Sequence, residues 1–129
     1  MAPLPLDGAQ FEVARAFTAQ WEPVPWDDPT CDRRTRIDYE SAHDEHGAIV
    51  VTVRDYKSSW AHTDGQLDSL QRRFQAVAAW KSNPGAACLR LEVANLRRRV
   101  IYRRTIWLDE EGERTLAQWA ADLELVIEA

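Results

Sequence analysis

The densest group of chemically capable side chains is His43-Asp44-Glu45-His46, two imidazoles and two carboxylates in one short run, with His62 as the third histidine. Such a set can in principle hold a divalent transition metal. A structural zinc site wants four preorganised ligands, whereas these four lie in a polar connection that ends at Gly47. The expectation is a solvated turn and no metal. Cys31 with a histidine would make a nucleophile and base, but nothing in the spacing brings the two together. The glycines at 8, 47, 65, 85 and 112 stand too far apart for a phosphate-cradling loop, and neither a G-x-S-x-G elbow nor an H-E-x-x-H pair occurs. On this reading no catalytic residue and no cofactor is assigned.

The arginines are the sharper feature. Residues 90–104 contain Arg90, Arg97, Arg98, Arg99, Arg103 and Arg104 against a single acid, Glu92, in a chain whose net charge is −5. Positive potential is therefore concentrated on one hairpin while the remainder is acidic. The planar guanidinium suits carboxylates and phosphates alike. The overall negative charge makes nucleic acid an unlikely partner and an acidic patch on another protein the expected one. Six tryptophans in 129 residues add candidate anchors. Trp26 lies in a proline-rich loop, Trp60 in a connector, and Trp107 on a strand with parity opposite to its apolar neighbours. The expected partner-binding set is Arg97, Arg98, Arg99, Arg103, Trp107, Trp60 and Trp26.

These residues must be positioned by a single domain over 1–129. Residues 1–6 read as an extended lead-in. Asp7 is a plausible N-cap for a helix to about Gln20, with Phe11, Ala14, Phe17 and Trp21 along one side. Residues 21–34 form a loop, because Pro23, Pro25 and Pro29 exclude helix and disfavour a central strand. Ile37 and Tyr39, then Ile49, Val51 and Val53, alternate with polar residues and predict a hairpin. From Thr63 to Pro84, Leu67, Leu70, Phe74, Val77 and Ala78 recur at helical spacing, with Thr63 and Gln66 placed as a capping box. Leu89, Leu91 and Val93, then 100–108, predict a second hairpin, and 109–129 an amphipathic helix with acids in its first turn. The expected fold is α+β, a four-stranded antiparallel sheet of two hairpins with helices on one face, in the order α-β-β-α-β-β-α. The other face would show Arg36, Asp38, Thr52, Arg54, Arg90 and Glu92.

Element order, size and acidity resemble the type III secretion chaperone-like architecture, one strand short of its usual five. The resemblance implies a dimer that binds another polypeptide in extended form. The chain starts without a signal peptide, has no apolar run of membrane-spanning length and carries only two cysteines, Cys31 and Cys88, so a cytoplasmic location is expected. The functional expectation is a non-catalytic domain that binds another protein stoichiometrically, immunity-, chaperone- or adaptor-like, with a homodimer as one arrangement. The alternatives are a small enzyme or ligand-binding protein with its site near the proline-rich loop, or a structural subunit of a phage or secretion assembly.

Overall fold

A computed structural model describes residues 8–61 and 63–128. The strands are β1 (Gly8–Phe17), β2 (Pro23–Val24), β3 (Arg33–Glu45), β4 (Ala48–Lys57), β5 (Cys88–Asn95) and β6 (Val100–Trp107), and the helices are α1 (Leu70–Ser82) and α2 (Glu110–Glu128). They form one six-stranded mixed sheet, ordered β2-β1-β3-β4-β5-β6, in which only β4 and β5 run parallel. This corrects the expected four-stranded antiparallel sheet with three helices. The element order that suggested a secretion-chaperone architecture is likewise not the order found. No helix among the described residues is long and apolar enough to cross a membrane.

The largest correction is at the start. The segment expected to be a helix from Asp7 is β1, paired with β3 from Gly8↔Ala42 to Phe17↔Arg33. Val13, Arg15 and Phe17 alternate inward, and Phe11 is left in water. Arg15 sits in an apolar series because it forms a buried ion pair with Glu40. Pro23 is tolerated because β2 is a two-residue edge strand. Trp21, in the left-handed region at φ 63°, turns its ring into the core against Phe17 and Phe74.

The hairpin β3–β4 turns at His46-Gly47, both at positive φ, as a tight two-residue hairpin requires. Parallel pairing of β4 with β5 needs a crossover, and α1 supplies it. That helix begins later than its apolar spacing suggests. Residues Asp64–Asp68 form a 3-10 turn, Thr63 makes no side-chain cap, and Ser69 caps α1 through the Arg72 N–H. One core joins the inward residues Ile37, Val51, Val53, Leu89 and Leu91 to Val77 of α1 and to Leu116 and Leu123 of α2.

On the opposite face Tyr39, Arg54, Glu92 and Arg103 fall in register across four strands. Glu92, only 2% exposed, accepts from Arg54 Nε at 2.8 Å and Arg103 Nε at 2.6 Å. The outer sheet face is thus closed by its own ladder of charges. Arg103 belongs to that ladder.

Candidate active site

The strands converge on one group of ionisable side chains. Along β4, Val51, Val53, Asp55 and Lys57 share a parity, so an apolar inward series ends in a carboxylate and an amine. The β3–β4 ladder runs only as far as Tyr39↔Arg54, and beyond it Asp38 lies opposite Asp55. The β1–β3 ladder is also interrupted there. Register passes from Phe11↔Tyr39 to Val13↔Ile37, and the skipped Glu12, opposite Asp38, has φ 53°. With both ladders broken at one residue, the Asp38 carboxylate takes over part of the pairing: its Oδ2 accepts the Tyr56 N–H at 3.0 Å. Backbone distortion of this kind is typically retained where a site requires it.

Asp55 is almost fully buried, and its surroundings are unequal on its two oxygens. Arg72, from the first turn of α1 and 4% exposed, places Nη1 2.8 Å from Oδ1. Lys57 Nζ lies 3.1 Å from Oδ2, so each carboxylate oxygen faces a cation. Burial raises the Asp38 carboxyl above the ordinary carboxylate range, and the neighbouring Asp55 pushes it the same way against the Tyr56 N–H. Burial would also raise Asp55, but the proton it can share with Asp38 and the charges of Arg72 and Lys57 hold it below that range. The pair is therefore asymmetric: Asp55 is the ready anion and Asp38 the readier to keep a proton.

This donor set can be tested against a cation. Two carboxylates, one of them at half-buried Asp38, match in number the one or two that magnesium takes before completing its shell with water and phosphate oxygens, while both Asp55 oxygens already face cations, Arg72 at 2.8 Å and Lys57 at 3.1 Å. They do not fit structural zinc, and no group of three or more His, Cys, Asp or Glu is placed for a metal among the described residues. His43 and Glu45 hydrogen-bond to each other, and Arg90 pairs with Glu45 at 3.1 Å, so that turn is occupied internally.

Much of the chain's basic surface lies at this same end of the sheet. Arg34 and Arg36 begin β3, and Trp26 of the proline-rich loop stacks on both, 5.4 and 4.9 Å from ring centroid to guanidinium. Beside them an open cleft of about 420 Å³ runs between β3 and α1, lined by Arg34, Arg36, Leu70, Gln71 and Phe74. Gln75 of α1 donates to the Arg36 carbonyl at 2.7 Å and fixes the strand two residues before Asp38. On the other side the β5–β6 turn carries Arg97, Arg98 and Arg99, and Leu96 N–H donates to the Lys57 carbonyl at 2.8 Å. The structure thus brings Trp26, Trp60, Arg97, Arg98 and Arg99 to one end of the sheet. Trp107, although 57% exposed, pairs with Cys88 at the opposite end of β5 and does not join them.

Sequence reasoning passes over Asp38, Asp55, Lys57 and Arg72. Strand parity puts Asp38 on the outer face, and 56–62 reads only as a lead into the helix. The available signal is an inward-parity acid followed two residues later by a lysine at the end of Val51-Val53, since such charges are not buried without a reason.

Fold and site together define a mixed α+β domain with a carboxylate pair and an adjacent lysine at one end of the sheet. No family model matches the chain, and no curated protein matches its sequence. Among solved structures, the crystal structure of SSO0001 is similar at 17% identity and a TM-score of 0.40, over 89% of this chain and 50% of that one. The chain spans about half the length of that protein, and a likeness of this grade carries no argument.

Proposed function

We propose that this domain is a divalent-cation-dependent phosphodiester hydrolase acting on nucleic acid. The observation that carries the reading is the convergence of Asp38, Asp55 and Lys57 where the β3–β4 ladder ends. Asp55 and Asp38 would hold the cation, with Arg72 fixing the Asp55 carboxylate from behind. A bound magnesium ion supplies Lewis-acid neutralisation of a phosphate oxygen and a more acidic water. Lys57, half-buried beside Asp55, offers its ammonium to the charge that develops on phosphorus-bound oxygen as water displaces the ester oxygen. Arg34, Arg36 and the arginine turn attract the flanking phosphates. This departs from the expected non-catalytic role and falls on the enzyme alternative, whose site was placed near the proline-rich loop. Cytoplasmic residence accords with two free thiols, Cys31 and Cys88, and is part of the reading.

The test is cleavage of end-labelled single- and double-stranded DNA and RNA by the purified chain in magnesium or manganese. Cleavage should vanish with a chelator and in Asp55→Asn and Lys57→Met. No cleavage of any substrate, together with no magnesium binding by calorimetry, would overturn the assignment. A second reading, stoichiometric binding of another protein at the same end, is favoured by the exposed Trp60 beside Arg97. It predicts a partner retained equally by wild type and Asp55→Asn.

A further inference from the structure

Trp60 is the most exposed tryptophan of the chain at 69%, yet the backbone around it is tied down from several directions. The hub is Asn95, at the end of β5 and 1% exposed. Its Nδ2 donates to the Ala61 carbonyl at 3.2 Å and to Thr63 Oγ1 at 3.3 Å, while its Oδ1 accepts the Arg98 N–H at 3.1 Å. Arg98 Nη1 in turn donates to the Trp60 carbonyl at 2.9 Å. The Arg97 guanidinium stands 5.1 Å from the indole centroid. The Ala61 N–H closes a small turn on Ser59 Oγ at 3.1 Å. A large aromatic surface therefore stands in water on a tied-down backbone with a cation against its ring, which folding alone does not require.

We infer that Trp60, with Arg97 and Arg98, is a stacking platform for an unpaired base of single-stranded nucleic acid. The inference rests on the nucleic-acid reading of the neighbouring carboxylate site and adds to it a preference for unpaired strands. Trp60 follows Lys57 by three residues, so their Cα atoms are at most about 10 Å apart and a strand whose phosphate met Lys57 would have the indole within a few nucleotides' reach. Unpaired bases stack on aromatic side chains whatever their identity, whereas paired bases keep their faces within the duplex. Three consecutive arginines, Arg97, Arg98 and Arg99, match the charge of the backbone that would carry that base.

The test reads binding rather than cleavage, so it separates this inference from the catalytic one. Fluorescence anisotropy, in chelator and at low salt, would compare a 12-nucleotide oligothymidine, an abasic strand of the same length and charge, and a hairpin duplex. Wild type should prefer oligothymidine to the abasic strand by about 10-fold, within the about 5- to 150-fold expected of one stacked base. Trp60→Ala should remove that preference and change duplex binding less than twofold, and Trp60→Phe should restore most of it. Melting curves should be unchanged because the ring is largely in water. Equal losses on all three ligands, or none, would overturn the platform. A wild type that binds no oligonucleotide at low salt would overturn it in favour of a protein ligand. Retained stacking in a chain that never cleaves would sink the hydrolase reading and leave the platform standing.

Discussion

Arg72→Met should separate the support of the site from its chemistry. Arg72 and Asp55 are 4% and 6% exposed, and their ion pair ties α1 to the end of β4. Removing one member of a buried pair typically costs about 3–5 kcal/mol, because the other charge is left desolvated. Three features reduce that figure here. Lys57 still faces Asp55 at 3.1 Å, and of the Arg72 guanidinium only Nη1 meets the carboxylate, Nε and Nη2 being buried without hydrogen bonds, so its burial is incompletely compensated. Arg72 also stands in the first turn of a helix that has no acid there, where a cation is disfavoured by about 0.3–1 kcal/mol. A net loss of about 2–3 kcal/mol follows, or about 8–12 °C in Tm for a domain of this size. Asp55→Asn alone leaves Arg72 buried without its counter-charge and should cost a similar amount. Together, Arg72→Met and Asp55→Asn remove both charges, and the double variant should lie within about 1 kcal/mol of wild type. Urea denaturation of the four proteins at neutral pH yields the coupling energy directly. A double variant no more stable than the weaker single one would show that Arg72 does not support Asp55, and the geometry argued for the cation site would fall with it.

Other consequences are simpler to state. Asp38, with its raised folded-state value, contributes stability below the ordinary carboxylate range and loses it as pH rises through that raised value. Asp55 does the reverse, contributing above the ordinary range and losing it as pH falls through its lowered value. A proton on Asp38 competes with a cation, so magnesium affinity by calorimetry should decline on acidification earlier than an ordinary carboxylate, titrating near about 3.9, would allow. Affinity flat across that range would mean that Asp38 is no ligand. Asp38→Asn keeps an acceptor for the Tyr56 N–H and removes the repulsion. It should match or exceed wild-type stability at neutral pH while abolishing magnesium binding. On the outer face, Glu92→Ala strands two guanidiniums and should cost about 2–4 kcal/mol in denaturant melts, whereas Arg103→Ala, at a half-exposed side chain, should cost about 1 or less. Equal losses would mean that the ladder is not organised around Glu92.

The elements that the sequence shows plainly are those whose apolar pattern is uninterrupted. Strands β4 and β5 carry Val51-Val53 and Leu89-Leu91, and their alternation matches their inward faces. Strand β1 is obscured because its inward series is Val13, Arg15, Phe17. The alternation is hidden by a charge whose partner, Glu40, lies on another strand 25 residues away. Spacing alone then favours the accidental helical set Phe11, Ala14, Phe17. The parallel pair is equally hidden, although the long connection through α1 between β4 and β5 has the length of a crossover. The carboxylate site shares this difficulty. Asp38 leaves its expected face only because both neighbouring ladders break beside it, and that break depends on the φ of Glu12 and on strand divergence, not on any local motif.

The overall charge of −5 argues against a polyanionic ligand, but a ligand responds to charges within about one Debye length, roughly 8–10 Å at physiological salt. At the site end, Arg34, Arg36, Lys57, Arg97, Arg98 and Arg99 come from three separate segments that the topology gathers. The acids Glu110, Glu111 and Glu113 open α2, just after β6 has run to the far end of the sheet. Asp32, Asp38, Asp55 and Glu124 lie at the site end as well, so a ligand there meets the exposed arginines and not the summed charge. Binding of a labelled strand should weaken steeply with salt even though the protein is acidic, and the slope should fall by about 1 for each phosphate deprived of its cation. Arg97→Glu with Arg99→Glu should flatten it by about 2 without lowering Tm, because exposed charges of this kind contribute about 0–1 kcal/mol each. A slope unaffected by those reversals would place the strand elsewhere on the molecule.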